Sequence, residues 1–169
     1  LTWTLDSEGT LTISGNGKMR DYNTYVIMPI QQTSSKVKAV VILPGVTSIG
    51  GSLFYGFDHL TSITIPESVT SIGDRAFELC TLTSLTIPNG VKSIGEFAFV
   101  DSGLTSVTIP DSVTSIAYCA FYNCSRLASI TIPDSIMSIS EGTFINCKSI
   151  TSVTIPDSVT SIGGGGFFW

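Results

Sequence analysis

Charged residues are scarce in this chain. Asp, Glu, Lys and Arg together make up 12% of its 169 residues, which is about half the usual share. Acids outnumber bases and the net charge is −5, which argues against nucleic acid as a partner because phosphates attract basic surfaces. No apolar run reaches the roughly 18 residues that suggest a membrane-spanning helix, so membrane insertion is not expected.

Histidine is almost missing as well. His59 is the only one, which argues against metal sites and catalytic sites that need a histidine pair. It lies beside Asp58 in a variable loop, and serines are so frequent that a nearby one carries no information. The spacing of Cys119 and Cys124 is weak support for zinc without a second ligand pair. We therefore expect no enzyme activity, no catalytic residue, no metal site and no cofactor.

Small hydroxyl side chains are the abundant feature. The chain has 24 Ser and 21 Thr, and hydrophobic residues reach 43%, enough to fill a core and to make disorder unexpected. The chain begins at Leu1 rather than at a methionine. We expect either a secreted protein whose signal peptide has been removed or a segment of a longer protein.

A short phrase, Thr-Ile-Pro, repeats along the chain. It occurs five times with spacings of 22 or 23 residues, and a degenerate copy, Val-Ile-Leu-Pro, precedes the first. Other apolar positions keep the same step, as three columns show. The columns are Val46, Val69, Val91, Val113, Ile136 and Val159; Ile49, Ile72, Ile94, Ile116, Ile139 and Ile162; and Phe54, Phe77, Phe99, Phe121, Phe144 and Phe167.

This periodicity indicates a coil with one turn per repeat. A unit of 22–23 residues cannot bury its own apolar columns, whereas stacked turns bury each column against its copies above and below. The β-branched segment before each proline alternates like a strand, and consecutive turns would pair such strands in parallel, about 4.8 Å apart. A second, shorter extended segment should follow each proline, and a tight turn should contain each phenylalanine.

Residues 60–80 read Leu-Thr-Ser-Ile-Thr-Ile-Pro-Glu-Ser-Val-Thr-Ser-Ile-Gly-Asp-Arg-Ala-Phe-Glu-Leu-Cys. This unit resembles the leucine-rich repeat of the BspA-like, or Treponema-type, class, and the match extends over residues 37 to 169. The resemblance implies a right-handed, mainly β solenoid of six turns with a parallel sheet. It also implies a secreted or surface-attached protein, mostly from gut and oral bacteria, some of which are adhesins.

Residues 1–36 lack the repeat and are predicted to cap the solenoid of residues 37–169. The two alternating segments around Asp6-Ser7-Glu8-Gly9 read as a β-hairpin, which would cover the first strand edge. Tyr22 to Gln32 is expected to be an irregular connector that packs Tyr25, Ile27 and Ile30 against the first turn.

Two further columns have a structural interpretation and a functional one. Cys80, Cys124 and Cys147 share a position with Phe57 and Ser102, which favours buried free thiols, although a bridge between Cys124 and Cys147 is the alternative. Cys119 is expected on the surface, and we expect it to react first. The acids after the prolines would start a turn, although a stacked row of carboxylates could also hold Ca²⁺.

The candidate binding surface combines a sheet face with a rim. Strand alternation should turn Ile63 inward and expose a lattice of small hydroxyls, while larger side chains in the variable segments form the rim. The lattice is Ser62, Thr64, Ser84, Thr86, Ser106, Thr108, Ser129 and Thr131; the rim is Tyr55, His59, Phe97, Tyr118, Tyr122 and Arg126.

These features favour a non-enzymatic extracellular or cell-surface module for binding or adhesion, with a protein or a glycan as partner. The alternative is a purely structural stalk or spacer within a larger surface protein. Phe167, Phe168 and Trp169 are expected to fold back over the last turn as a lid. The protein should then be a monomer or a weak end-to-end dimer.

Overall fold

The computed structural model describes residues 1–22 and 30–167, and these are mainly β. The only helix within those ranges is a 3₁₀ helix at Gln31–Lys36. The strands are β1 Thr2–Leu5, β2 Thr10–Ser14, β3 Gly17–Lys18, β4 Ala39–Ile42, β5 Val46–Ile49, β6 Ser62–Thr64, β7 Ser71–Ile72, β8 Ser84–Thr86, β9 Ser93–Ile94, β10 Ser106–Thr108, β11 Ser115–Ile116, β12 Ser129–Thr131, β13 Ser138–Ile139 and β14 Ser161–Ile162.

The strands before each proline form the first face of the solenoid. They are β4, β6, β8, β10 and β12, and equivalent repeat positions pair in parallel, as Val107 does with Leu85 and Ile130. The ladder runs in two blocks, β1-β2-β4-β6 and β8-β10-β12. The predicted parallel sheet and the alternation of exposed and buried positions are therefore present.

The short strands after each proline form the second face. They pair in parallel in the order β11-β9-β7-β5-β3, with β13 and β14 as a separate pair. In the pairs within the repeats, the serine faces the serine of the next turn and the isoleucine faces the isoleucine. This confirms the second extended segment that the Val-x-x-Ile spacing predicts.

The segments that contain the phenylalanines form the third side, which we call the turn face. In the phenylalanine column from Phe54 to Phe144, each backbone N–H donates to a carbonyl of the next turn, as Phe77 does to Ala98 at 2.8 Å and Phe99 to Ala120 at 2.8 Å. The six rings stack in one column, with neighbouring centroids 5.1–5.7 Å apart. The turn face is therefore held by backbone bonds on its surface and by aromatic contacts inside.

The hydrophobic core is the stack of these columns. In the phenylalanine column, the residues from Phe54 to Phe144 are at most 1% exposed, and the valine, isoleucine and leucine columns of the inner turns are buried with them. Serines after the prolines support this stacking, because the Ser68 hydroxyl donates to the Val46 carbonyl one turn earlier and Ser112 donates to Val91.

The N-terminal hairpin belongs to both sheets. β1 pairs antiparallel with β2, while β2 pairs in parallel with β4 and places Leu11 and Ile13 in the core. β3 pairs in parallel with β5 on the second face. The hairpin thus adds an incomplete turn to the coil. Ile30 is buried, as expected of the connector, while Tyr25 and Ile27 lie outside the described residues.

The sixth turn is less regular than the five before it. Residues 151–156 have no strand geometry, although β14 completes the second face and Phe167 stacks on Phe144 at 5.2 Å. Within the described ranges, this turn has a neighbouring turn on one side only. The other two aromatics of the expected lid, Phe168 and Trp169, lie outside the described residues.

Candidate functional site

The serine–threonine lattice lies where strand alternation predicts it. In β6, β8, β10 and β12 the outer two residues are exposed while the middle residue points inward. Parallel pairing aligns Ser84, Ser106 and Ser129 in one row and the matching threonines in another. The face is therefore a regular polar surface without a large side chain. This geometry offers many hydrogen-bonding groups but no anchor of the kind that dominates affinity.

The predicted rim divides into separate groups. Tyr55 and His59 belong to the first turn, and Tyr122 and Arg126 belong to the fourth. His59 Nδ1 is 3.7 Å from Asp58 Oδ1, with both side chains largely exposed. Arg126 lines a small cleft with Asp101 and Asn123. The structure does not bring these four rim residues together.

Phe97 and Tyr118 are the rim residues that do meet. Their rings lie edge to face with centroids 5.2 Å apart. The guanidinium of Arg75 lies over Phe97, 4.4 Å from the ring centroid, and its Nη1 is 2.8 Å from Glu78 Oε2. We call Arg75, Phe97 and Tyr118 the aromatic ridge. The sequence analysis missed Arg75, because its contact with the Phe97 ring arises only when the turns stack.

The ridge carries negative charge around Tyr118. The hydrogen bond from its hydroxyl to Cys119 raises the pKa of Tyr118, and the carboxylates of Glu141 and Glu96 add to the effect. Burial raises the pKa of the Cys119 thiol, with further contributions from Glu141 and Glu96. Both groups are therefore neutral at physiological pH, and the carboxylates supply the local charge.

Cys119 corrects one prediction, because it is buried rather than on the surface. Its side chain is 4% exposed, and its backbone is left-handed with φ 53°. The Sγ atom fills the space beside Gly142 of the next turn, where an added Cβ would approach it to 2.5 Å. The other cysteines are buried and free, as expected. The expectation that Cys119 reacts first therefore loses its basis.

A groove beside the N-terminal hairpin is a second site that the sequence analysis missed. It has a volume of about 810 Å³ and lies along the second face. Ser48, Ser71 and Ser93 line it, with Asp74 and Arg75 of the turn face, and Lys18, Asp21 and Tyr22 close its end. Asp21 Oδ1 accepts the Gly51 N–H at 2.8 Å, which fixes the chain at that end.

A sequence signal for this groove does exist. A serine follows two residues after every member of the valine column, including Ser48, Ser71 and Ser93. Burial at these positions decreases along the chain, from 7% exposed at Ser48 to exposed positions in the later turns. The closed end of the groove is formed by Lys18, Asp21 and Tyr22, which lie outside the repeat.

Metal and membrane chemistry can be stated for the described ranges only. Within residues 1–22 and 30–167, no three His, Cys, Asp or Glu side chains come close enough together to hold a metal ion. The acids after the prolines are exposed, and Glu67 Oε2 accepts the Gly90 N–H at 3.1 Å. Over the same ranges, no helix has the length and apolar character to cross a bilayer.

Comparison with known proteins agrees with this architecture. A family model described as the BspA type leucine rich repeat region matches residues 32–102 and 47–168, with six copies. No curated protein matches the chain.

Three crystal structures share the fold. A leucine-rich repeat protein from Bacteroides ovatus has a TM-score of 0.79 at 28% identity, covering 99% of this chain and 49% of that one. The T. pallidum Leucine Rich Repeat protein has 0.76 at 22% identity, with 96% and 82% covered. One from Eubacterium ventriosum has 0.68 at 24% identity, with 98% and 60% covered. The chain therefore spans about half to four-fifths of these proteins. With the family model matched over most of its length, it belongs to the BspA-type leucine-rich repeat family.

Proposed function

We propose that this protein is a non-enzymatic binding or adhesion module that acts outside the cell or at its surface. The observation that carries the proposal is the groove of about 810 Å³ on the second face. Its lining brings together hydroxyl, carboxylate and cationic groups, among them Ser71, Asp74 and Arg75. Converging polar groups in a concave surface can fix the orientation of a ligand, and a spacer needs no site of this kind.

The architecture supports the same proposal. Stacked repeats make an extended, rigid surface, which repeat proteins commonly use for recognition. The resemblance to secreted and surface-attached proteins supports a location outside the cell. The partner is a protein or a glycan, and no nucleic acid is expected because the chain carries a net charge of −5. Weak contacts that repeat along the coil would gain strength through multivalency.

A stalk or spacer is the second candidate, and the first face favours it. The exposed positions of β6, β8, β10 and β12 are all serine or threonine. Small β-branched and hydroxyl side chains suit a crowded parallel sheet without any partner. If the first face acts only in this way, changing it should leave binding unaffected.

A pair of substitutions tests binding and locates it. Ser93→Arg would fill the groove, whereas Ser106→Arg makes the same chemical change on the first face. The native protein is applied to immobilised oligosaccharides, neutral and acidic, and to extracellular-matrix proteins, and binding is followed by surface plasmon resonance. We expect a ligand whose affinity drops at least tenfold with Ser93→Arg and stays unchanged with Ser106→Arg.

Circular dichroism melting confirms that both variants are folded. Loss of ligand binding with Ser106→Arg but not with Ser93→Arg would place the binding site on the serine–threonine lattice. A folded native protein that binds nothing on the panel would reject the binding proposal and leave the spacer.

A further inference from the structure

The chain already contains one arginine bound by an aromatic ring and a carboxylate. Arg75 lies over the Phe97 ring, 4.4 Å from its centroid, and forms an ion pair with Glu78 at 2.8 Å. The backbone at Arg75 is left-handed with φ 56°. A guanidinium stacked on a ring and paired with a carboxylate is thus compatible with the spacing of these turns.

Tyr118 offers the same kind of ring one turn further along. One side of it contacts Phe97 edge to face, and the residue is 41% exposed. In the next turn, Gly142 stands where Arg75 stands in the second turn, so no arginine occupies that position. The ring therefore presents part of its surface on the turn face.

Two carboxylates flank this ring. Glu96, Tyr118 and Glu141 occupy the same position in three consecutive turns. Their backbone carbonyls accept hydrogen bonds from the backbone N–H groups of Arg75, Phe97 and Cys119, respectively. Equivalent positions in stacked turns lie about 4.8 Å apart. Both glutamates are exposed, and neither forms an ion pair within the described part of the chain. Their field reaches Tyr118, whose pKa it helps to raise.

We propose that Tyr118, Glu96 and Glu141 bind an arginine side chain of a partner protein. The guanidinium stacks on the Tyr118 ring as Arg75 does on Phe97, and its N–H groups donate to the carboxylates. The proposal rests on the proposed binding function and names the partner class at one site. A neutral sugar could also stack on the ring, but it would leave both negative charges uncompensated. Charge complementarity therefore favours a cationic group, and the planar guanidinium fits both a ring and a carboxylate.

The test uses a defined probe. A fluorescein-labelled peptide with four arginines separated by Gly-Ser is titrated with the full chain, and binding is followed by fluorescence anisotropy. The same peptide with citrulline in place of arginine keeps the shape and removes the charge. We expect the arginine peptide to bind at least tenfold more tightly than the citrulline peptide. Tyr118→Ala should weaken arginine-peptide binding about fivefold, and Tyr118→Phe should retain it.

A matched charge control separates this site from general attraction to an acidic protein. Glu141→Gln and Asp111→Asn each remove one exposed carboxylate, but only the first is next to Tyr118. We expect Glu141→Gln to weaken binding about two- to fivefold and Asp111→Asn to change it little. Equal effects of these two variants, unchanged binding with Tyr118→Ala or equal affinity for the citrulline peptide would each overturn the proposal.

Two further outcomes identify other occupants. A neutral tetrasaccharide such as maltotetraose that binds the native protein but not Tyr118→Ala would make the ring a sugar site and overturn the arginine assignment. Failure of the arginine peptide alongside a ligand from the oligosaccharide and matrix panel would reject this site and leave the binding function standing.

Discussion

At the scale of single residues, the cysteine column has a hydrogen-bonding role. The Cys80 thiol donates to the Phe54 carbonyl at 2.9 Å, and Cys124 and Cys147 donate to Phe99 and Phe121 at 3.0 and 3.2 Å. Each thiol thus bonds to a turn before its own. Ser102 occupies the same position and contacts Cys124 Sγ at 3.3 Å. The column therefore accepts small side chains that donate a hydrogen bond, and Phe57 of the first turn is the exception.

Cys80 should make stability depend on alkaline pH. Burial raises the pKa of its thiol from an ordinary 9.0 to about 12. The unfolded thiol ionises first, so the unfolded state binds fewer protons and stability declines as the pH rises from 9 towards 12. Below pH 9 both states keep the proton and the effect vanishes. Cys80→Ser places at this position the residue that Ser102 provides in the next turn. Under reducing conditions, we expect its melting temperature to fall less over this pH range than that of the native protein.

Thermal melts of the native protein and Cys80→Ser between pH 8 and pH 11 measure this difference. Lysine and tyrosine ionisation affects both proteins equally, so the comparison isolates Cys80. Melting temperatures that fall in parallel would show that the thiol is not held neutral by burial.

The burial of Cys119 shows what the sequence could not reveal. Its column also contains Arg75, Phe97 and Gly142, and such chemical variety predicts an exposed position. The property that the column shares is a left-handed backbone, with φ between 53° and 69° at each of these residues. That conformation costs roughly 1–2 kcal/mol for residues other than glycine. The periodic spacing of apolar residues does not reveal it. Burial here depends on the neighbouring turn, because only a glycine above leaves space for the sulfur.

At the scale of repeated elements, the phenylalanine column is the most regular feature of the core. Neighbouring rings are nearly parallel, with interplanar angles of 5–17°. Sequence periodicity was sufficient to predict this column, the strands before the prolines and the shorter strands after them, because each repeats at a fixed spacing. It could not predict that residues 151–156 lack strand geometry, since their sequence matches the other copies and only the number of stacked neighbours differs.

Removing one ring should therefore lower the free energy of unfolding more in the middle of the column than at its end. Phe99 is fully buried between Phe77 and Phe121, and we expect Phe99→Ala to lower the free energy of unfolding by roughly 3–5 kcal/mol. Phe167 is half-buried and stacks on Phe144, so Phe167→Ala should cost less.

Urea unfolding of both variants gives the comparison, with Phe121→Ala as a second inner-ring control. If Phe167→Ala lost as much stability as the two inner variants, the last turn would be as well packed as the middle.

At the scale of the whole molecule, a solenoid must cover the first strand edge of its stack. The hairpin does this by continuing both sheets, with β2 against β4 and β3 against β5. β1 then becomes the outer edge, and it is short and largely exposed. Short edge strands resist pairing with other chains, whereas longer regular edges promote association. The residues that follow the hairpin close one end of the candidate groove, through Lys18, Asp21 and Tyr22, so edge protection and the proposed function depend on adjacent parts of the N-terminal segment.

Shortening the chain from its N-terminus should therefore change the oligomeric state in two distinct steps. Deleting residues 1–5 removes only β1 and leaves Leu11 and Ile13 of β2 buried against β4, so this variant should stay monomeric. Deleting residues 1–14 removes β2 as well, which exposes the β4 edge and the side chains of Val40 and Ile42, both at most 2% exposed in the intact protein. An open parallel edge beside newly exposed apolar surface favours pairing with a second copy.

Multi-angle light scattering on the two variants and the intact chain measures the mass directly. A monomeric 1–14 deletion would show that the residues after β2 protect the edge, and association of the 1–5 deletion would assign the protection to β1.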